Sequence, residues 1–192
     1  MRLFVAVELS DAVRAAVADL QARLKASGGQ AAQVRWVEPV NFHLTVKFLG
    51  DLPETLLPNV EAACAEIAAG SSPFDFAVRG AGAFPKRAGP LKTLWAGVDE
   101  KGTAAWKTLV QRAGPNFLPF GIAREGGLAP HVTLGRVKSA TPEQDAVLRA
   151  ALAAEAQTDC GSQVAARLTL IQSTLDPRRA VYRPLGHFAF TG

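Results

Sequence analysis

Residues 2 to 8, RLFVAVE, form a short apolar run ended by an acid, which predicts a buried strand. The period changes after that: Val13, Val17, Leu20 and Leu24 recur at helical spacing within 11 to 26, and Gly28-Gly29 closes the helix. Strands are predicted over 34 to 37 and 43 to 49, and an alanine-rich helix over 53 to 69. Two further strands, 73 to 79 and 93 to 98, flank a segment whose Gly80, Gly82, Pro85, Gly89 and Pro90 predict loop. A helix over 102 to 113 leads into Gly114 to Pro130, rich in Gly and Pro, the expected crossover loop. A strand over 131 to 138, a helix over 142 to 156 and strands over 163 to 173 and 181 to 190 complete the pattern. Strands and helices intermingle without regular βαβ alternation, and several strand pairs have loop-length connections. The predicted fold class is therefore α+β, with antiparallel sheets carrying helices on their outer faces.

Within that pattern one short sequence occurs twice. His43-Leu44-Thr45-Val46 returns as His131-Val132-Thr133-Leu134 in a chain with only 3 histidines. Each copy lies in a predicted strand, where a period of two puts His43 with Thr45, and His131 with Thr133, on one face. Each also runs into a helix start. Asp51 with Glu54, and Thr141 with Gln144, offer N-cap pairs, and Pro142 stands at a first helical position. Strand, turn and helix thus occur twice, which reads as an internal duplication inside a single bilobal domain spanning 1 to 192.

Composition narrows the class. A chain of 192 residues, 48% apolar and 20% charged, suits an ordinary globule. The run Leu3 to Val7 is too short for the apolar region of a signal peptide, and no segment approaches membrane-spanning length. Cys64 and Cys160 stand apart in neither a metal-type nor a redox-type spacing, so a cytoplasmic location is expected. A net charge of +4 is mild for a nucleic-acid binder but favours a polyanionic substrate. The basic spots are Lys86-Arg87 with Lys92, the stretch from Arg124 to Lys138, and Arg178-Arg179 with Arg183.

Paired imidazoles titrate near pH 6.5, so one member can accept a proton while the other donates one. Such a pair suits in-line displacement at phosphorus, where attacking and departing oxygens lie on opposite sides. The hydroxyls of Thr45 and Thr133 then face the non-bridging oxygens whose charge must be held. No His-x-His, H-E-x-x-H or Asp-rich cluster provides metal ligands, so neither a metal nor a cofactor is expected.

These motifs and their surroundings resemble the two-histidine phosphoesterase superfamily, in its branch of RNA 2′,3′-cyclic phosphodiesterases, also called 2′-5′ RNA ligases. The resemblance runs through RLFVAVEL, RWVEPVNFHLTVKFLGDLP at Arg35 to Pro53, GAGAFP before LKTLWAGV, APHVTLGRVK at Ala129 to Lys138, and LTLIQSTLDPRRAVYRPLGHF. It implies two pseudo-symmetric lobes, each an antiparallel sheet with outer helices, and a cleft holding one His-x-Thr from each. It also implies metal-independent opening of a terminal 2′,3′-cyclic phosphate to a 2′-phosphate, with His43 the proton donor and His131 the acceptor that activates water. Ligation is the same step reversed. The expected partner is RNA with a 2′,3′-cyclic phosphate end, tRNA fragments among the candidates, bound by a monomer away from any membrane. Two alternatives remain open: a phosphodiesterase of small cyclic phosphates, and a non-catalytic RNA- or nucleotide-binding protein of the same fold. The loop residues 80 to 92 and 114 to 130 would decide between substrates.

Arg136 matches an arginine that the resemblance places near the phosphate. Simple alternation from His131 puts Thr133, Gly135 and Val137 on the catalytic face and Arg136 on the other, unless Gly135 hosts a bulge. Lys47, by contrast, shares the parity of His43 and Thr45. His187 lacks a Thr partner and reads as a surface strand residue, while Tyr182 is the aromatic side chain worth testing as a base-stacking platform.

Overall fold

A computed structural model describes residues 1–29, 32–85, 89–123, 129–175 and 180–192. Its strands are β1 (Arg2–Glu8), β2 (Gln33–Trp36), β3 (His43–Asp51), β4 (Phe74–Phe84), β5 (Thr93–Val98), β6 (His131–Ser139), β7 (Asp159–Ala165), β8 (Arg167–Leu175) and β9 (Ala180–Ala189). The α-helices are α1 (Asp11–Leu24), α2 (Leu57–Ala69), α3 (Glu100–Asn116) and α4 (Pro142–Ala154). Every strand pairing is antiparallel, in the order β7-β4-β5-β6-β3-β1-β8-β9, with β2 beside β6. The two lobes are therefore halves of one sheet, joined at its centre where Leu44 of β3 pairs with Val132 of β6.

One face of the sheet is covered by helices and holds the main core. Leu3, Val5 and Val7 of β1, Leu44 and Val46 of β3, Leu94 and Ala96 of β5, and Leu168 and Leu170 of β8 all point there. The same core takes in Val13, Val17, Leu20 and Leu24 of α1, the stripe read from helical spacing, while α2 packs on β8 and α3 on β3 and β4. Full burial of one such side chain is worth about 1.5–3 kcal/mol, so these apolar rows fix which face each strand turns inward. The opposite face is open, and Phe4, Ala6 and Ile171 form a second small cluster on it with Tyr182 against them.

Several predicted boundaries move, each for a physical reason. Residues 80 to 84 were expected as loop, yet they continue β4. Gly80 has φ +71° where the register with β5 shifts, and a Cβ there would collide with the carbonyl of Ala156. Gly82 leaves room for the Trp95 ring to lie against it. The glycines serve a bulge and a close contact, and the chain does not turn. Residues 114–116 finish α3, and Leu118–Phe120 adds one 3₁₀ turn before Gly121 at φ +73°. The predicted strand 163 to 173 is two strands, β7 and β8.

The two expected helix caps fare differently. Thr141 and Gln144 make the full capping box with Pro142 in the first turn. Asp51 instead ends β3, and a 3₁₀ turn, Glu54–Leu56, leads into α2 with no side-chain cap. Among the predicted basic spots, Lys86, Arg87, Arg124, Arg178 and Arg179 lie outside the described residues.

Candidate active site

The central pair Leu44–Val132 is a core pair, so its strand neighbours face the opposite, open side. Continuing the antiparallel register by one residue sets His43 across from Thr133 and Thr45 across from His131. Side chains directly across from one another on adjacent strands stand about 5 Å apart at Cβ. The four residues of the two motifs thus form one compact group at the seam of the sheet.

Each imidazole is oriented the same way. His43 Nδ1–H donates to the carbonyl of Asn41 at 2.7 Å, and His131 Nδ1–H donates to that of Ala129 at 2.9 Å. A carbonyl can only accept, so in the neutral ring both Nε2 atoms carry the lone pair. Here the motifs diverge. His43 Nε2 accepts a hydrogen bond from Thr45 Oγ1 at 2.9 Å. Among the described residues His131 makes only the Ala129 bond, which leaves its Nε2 available as a proton acceptor.

The surroundings differ more. His43 is enclosed by Phe4 at 4.8 Å and Tyr182 at 5.5 Å between ring centroids. Burial pushes its pKa down from 6.5 to about 4; the bond to Asn41 opposes this, His131 adds to it, and Glu8 opposes it. His131 is lowered too, first by burial and then by the charge of Arg136, against the pull of the Ala129 bond. Phe84 packs edge-on against its ring at 5.1 Å.

A bulge just past each motif aims the next side chains. Along β6 the register with β5 runs from Trp95–Thr133 to Leu94–Gly135, so Leu134 is an extra residue. The parity flips there. Val137 joins the core, and Arg136, opposite Thr93, faces the open side with His131 and Thr133. Buried Gln21 of α1 stabilises the bulge, its Nε2 donating to the carbonyls of Leu134 and Val37, both at 2.8 Å. The same device occurs in β3, where Val46 is the extra residue between Thr45–Ala6 and Lys47–Val5. This corrects the expectation for Lys47. It turns toward the core, 4% exposed, and its Nζ donates to the carbonyl of Ala123 at 2.5 Å. Phe48 takes the open face instead and is 47% exposed.

Known proteins share this architecture. A family model described as LigT like Phosphoesterase matches residues 7–95. The chain is 32% identical to the RNA 2′,3′-cyclic phosphodiesterase of Methanothermobacter thermautotrophicus over 98% of both chains. It belongs to the LigT-like phosphoesterase family. The RNA 2′,3′-cyclic phosphodiesterase of Archaeoglobus fulgidus is also 32% identical, over 98% of this chain and 99% of that one. Among solved structures, TT0787 of Thermus thermophilus superposes with a TM-score of 0.80 at 28% identity, covering 100% of this chain and 99% of that one.

In this LigT-like phosphoesterase a third group beside the histidines had no sequence signal beyond the acid that ends β1. Glu8 pairs across from His43. Its Oε2 accepts from Thr169 Oγ1 at 2.8 Å and lies 3.3 Å from Arg167 and 3.6 Å from His187 Nδ1. Thr169 is fully buried, while the His187 side chain is 46% exposed. His187, read as a surface residue, thus belongs to a carboxylate network bordering the site. Among the described residues no three His, Cys, Asp or Glu side chains gather as a metal-binding group. No helix among them is long and apolar enough to cross a membrane.

Proposed function

We propose that this phosphoesterase opens the 2′,3′-cyclic phosphate at an RNA end to a 2′-phosphomonoester, with no metal or cofactor. The observation that carries the reading is the placement of His43, Thr45, His131 and Thr133 on one face at the seam of the sheet. The names of the full-length relatives point the same way. His131 removes a proton from water as its oxygen attacks phosphorus. His43 delivers a proton to the departing 3′ oxygen, and the 2′ oxygen keeps the phosphate. Each proton transfer contributes roughly 10²- to 10⁴-fold. The Thr45 and Thr133 hydroxyls donate to the non-bridging oxygens, and Arg136 offsets the growing charge.

The unequal environments support the assignment of roles. An imidazole whose pKa is held near 4 is the stronger acid, and the less depressed His131 is the stronger base. In the free protein His43 is neutral at pH 7 and accepts from Thr45. A bound phosphate attracts the Thr45 hydroxyl to its own oxygen, frees Nε2, and by its negative charge raises the pKa of His43. The acid is therefore loaded as substrate binds. Ligation is the reverse of the same step, with an RNA 5′-hydroxyl in place of water.

The matching bulges, and the matching bonds from each His to the carbonyl two residues before it, support an internal duplication within one domain. A cytoplasmic monomer completes the reading. The test is incubation with an RNA oligonucleotide ending in a 2′,3′-cyclic phosphate, chelator present, and identification of the product by phosphorus NMR. The expected product is the 2′-phosphate. A 3′-phosphate, or activity that vanishes with chelator and returns with a divalent cation, overturns the reading.

A further inference from the structure

Beyond the reacting group, the open face carries an arrangement that lacks a structural explanation. Arg35 of β2 pairs directly across from Arg136 of β6. Gly135 on β6 lies against the side chains of Val34 and Trp36, which pack toward the core, so the residue between them, Arg35, turns to the open face with Arg136. Two like charges directly opposed on neighbouring strands destabilise a sheet. Ordinarily a carboxylate relieves such a pair. Among the described residues neither arginine makes an ion pair or side-chain hydrogen bond, and both are exposed. Burial raises the Tyr182 pKa, against the charges of Arg136, Arg2 and Arg35.

We propose that Arg35, set across from Arg136 on the open face, seats a backbone phosphate of the RNA chain upstream of the cyclic phosphate that Arg136 faces. The position fits. Arg136 is three residues beyond Thr133 with one absorbed by the bulge, about 7 Å along the strand, and Arg35 is one strand further across, on the side of His43. A guanidinium holds phosphate through parallel N–H donors, so Arg35 takes the upstream phosphate while Arg136 faces the reacting one. The seat favours a cyclic phosphate that carries a second phosphate, as an RNA end does, over a mononucleoside 2′,3′-cyclic phosphate. This inference rests on the proposed function and deepens it by naming the residue that holds the chain beyond its end.

The experiment compares kcat/KM for an RNA oligonucleotide ending in a 2′,3′-cyclic phosphate with that for a mononucleoside 2′,3′-cyclic phosphate. In Arg35→Gln the ratio of the two falls about tenfold, and Arg35→Lys recovers part of it. Equal losses on both substrates overturn the seat, since they place Arg35 at the reacting phosphate or in the fold. A thermal midpoint for Arg35→Gln equal to or above that of the native protein is expected, because the opposed charges are relieved.

If the native protein turns over neither substrate, the functional reading fails while the seat is still tested by binding. Fluorescence anisotropy with the same oligonucleotide ending in a 2′-phosphate should show about tenfold weaker binding for Arg35→Gln. The slope of log affinity against log salt should also be lower by about 0.7. Unchanged binding and slope overturn the proposal.

Discussion

His43 and His131 hang from strands with the same backbone design, yet their surroundings share little. Each ring donates from Nδ1 to the carbonyl two residues earlier, and each strand bulges directly after its threonine. Around His43 the neighbours are Phe4 and Tyr182, with Glu8 across the strand. Around His131 they are Phe84 and Arg136. The bulge in β3 presents Phe48, and its counterpart in β6 presents Arg136. Backbone geometry sets two equivalent rings at the seam of the sheet, and their different neighbours lower the two pKa values unequally.

The severest way to break the comparison is to remove either ring. His43→Ala and His131→Ala should each lower turnover by roughly 10²- to 10⁴-fold with the circular dichroism spectrum unchanged. A His131→Ala enzyme with native activity would end the assignment of the base. Next in size is the contrast between the two bulge positions. Arg136→Gln should reduce kcat about 100-fold, as loss of one group that stabilises transition-state charge does. Phe48→Ala should act mainly through KM. A kcat effect at Phe48 as large as that at Arg136 would show that the two bulges do not do different work.

The pKa difference predicts a stability difference. The folded-state pKa of His43 is depressed from 6.5 to about 4, so the unfolded chain binds the proton first as pH falls. His43 is neutral in both states above pH 6.5, and the fold loses about 3 kcal/mol between pH 6.5 and 4. Denaturant titrations of His43→Gln across that range should show a flatter pH dependence, whereas His131→Gln should change it less. Equal slopes would contradict the deeper burial of His43.

Gln21→Ala tests the bulge that aims Arg136. It removes the side-chain donor from the carbonyls of Val37 and Leu134, the second of which keeps the Val37 N–H, at a cost of about 1–3 kcal/mol. Turnover should fall along with the denaturation midpoint. The smallest effect is expected at Glu8, whose charge holds up the pKa of His43. Glu8→Gln should move the alkaline limb of the pH-rate curve to lower pH, and no movement would exclude Glu8 as the electrostatic partner of His43.

Much of this was legible in the sequence. Helical spacing identified the face of α1 that is buried, and strand parity alone put His43 with Thr45 and His131 with Thr133. Parity failed at Lys47, whose side chain is in the core, and simple alternation would have misplaced Arg136. Both failures come from one extra residue per strand, which a period of two does not encode. Gly135 hinted at the second bulge; nothing in Val46-Lys47 hinted at the first. Gly80 and Gly82 read as loop because glycine marks both turns and bulges, and only the strand opposite distinguishes them. The opposed arginines, and Glu8 with Thr169 and His187, are brought together by long-range strand pairing that no local pattern carries.

The most direct measurement follows the two histidine rings by NMR across pH, in the free protein and with a bound 2′-nucleotide. The account predicts a lower pKa for His43 than for His131 in the free protein, and a larger rise at His43 when the phosphate binds. A pKa for His43 that stays below that of His131 and does not move, while His131 takes up the proton, would reverse the roles and contradict the mechanism.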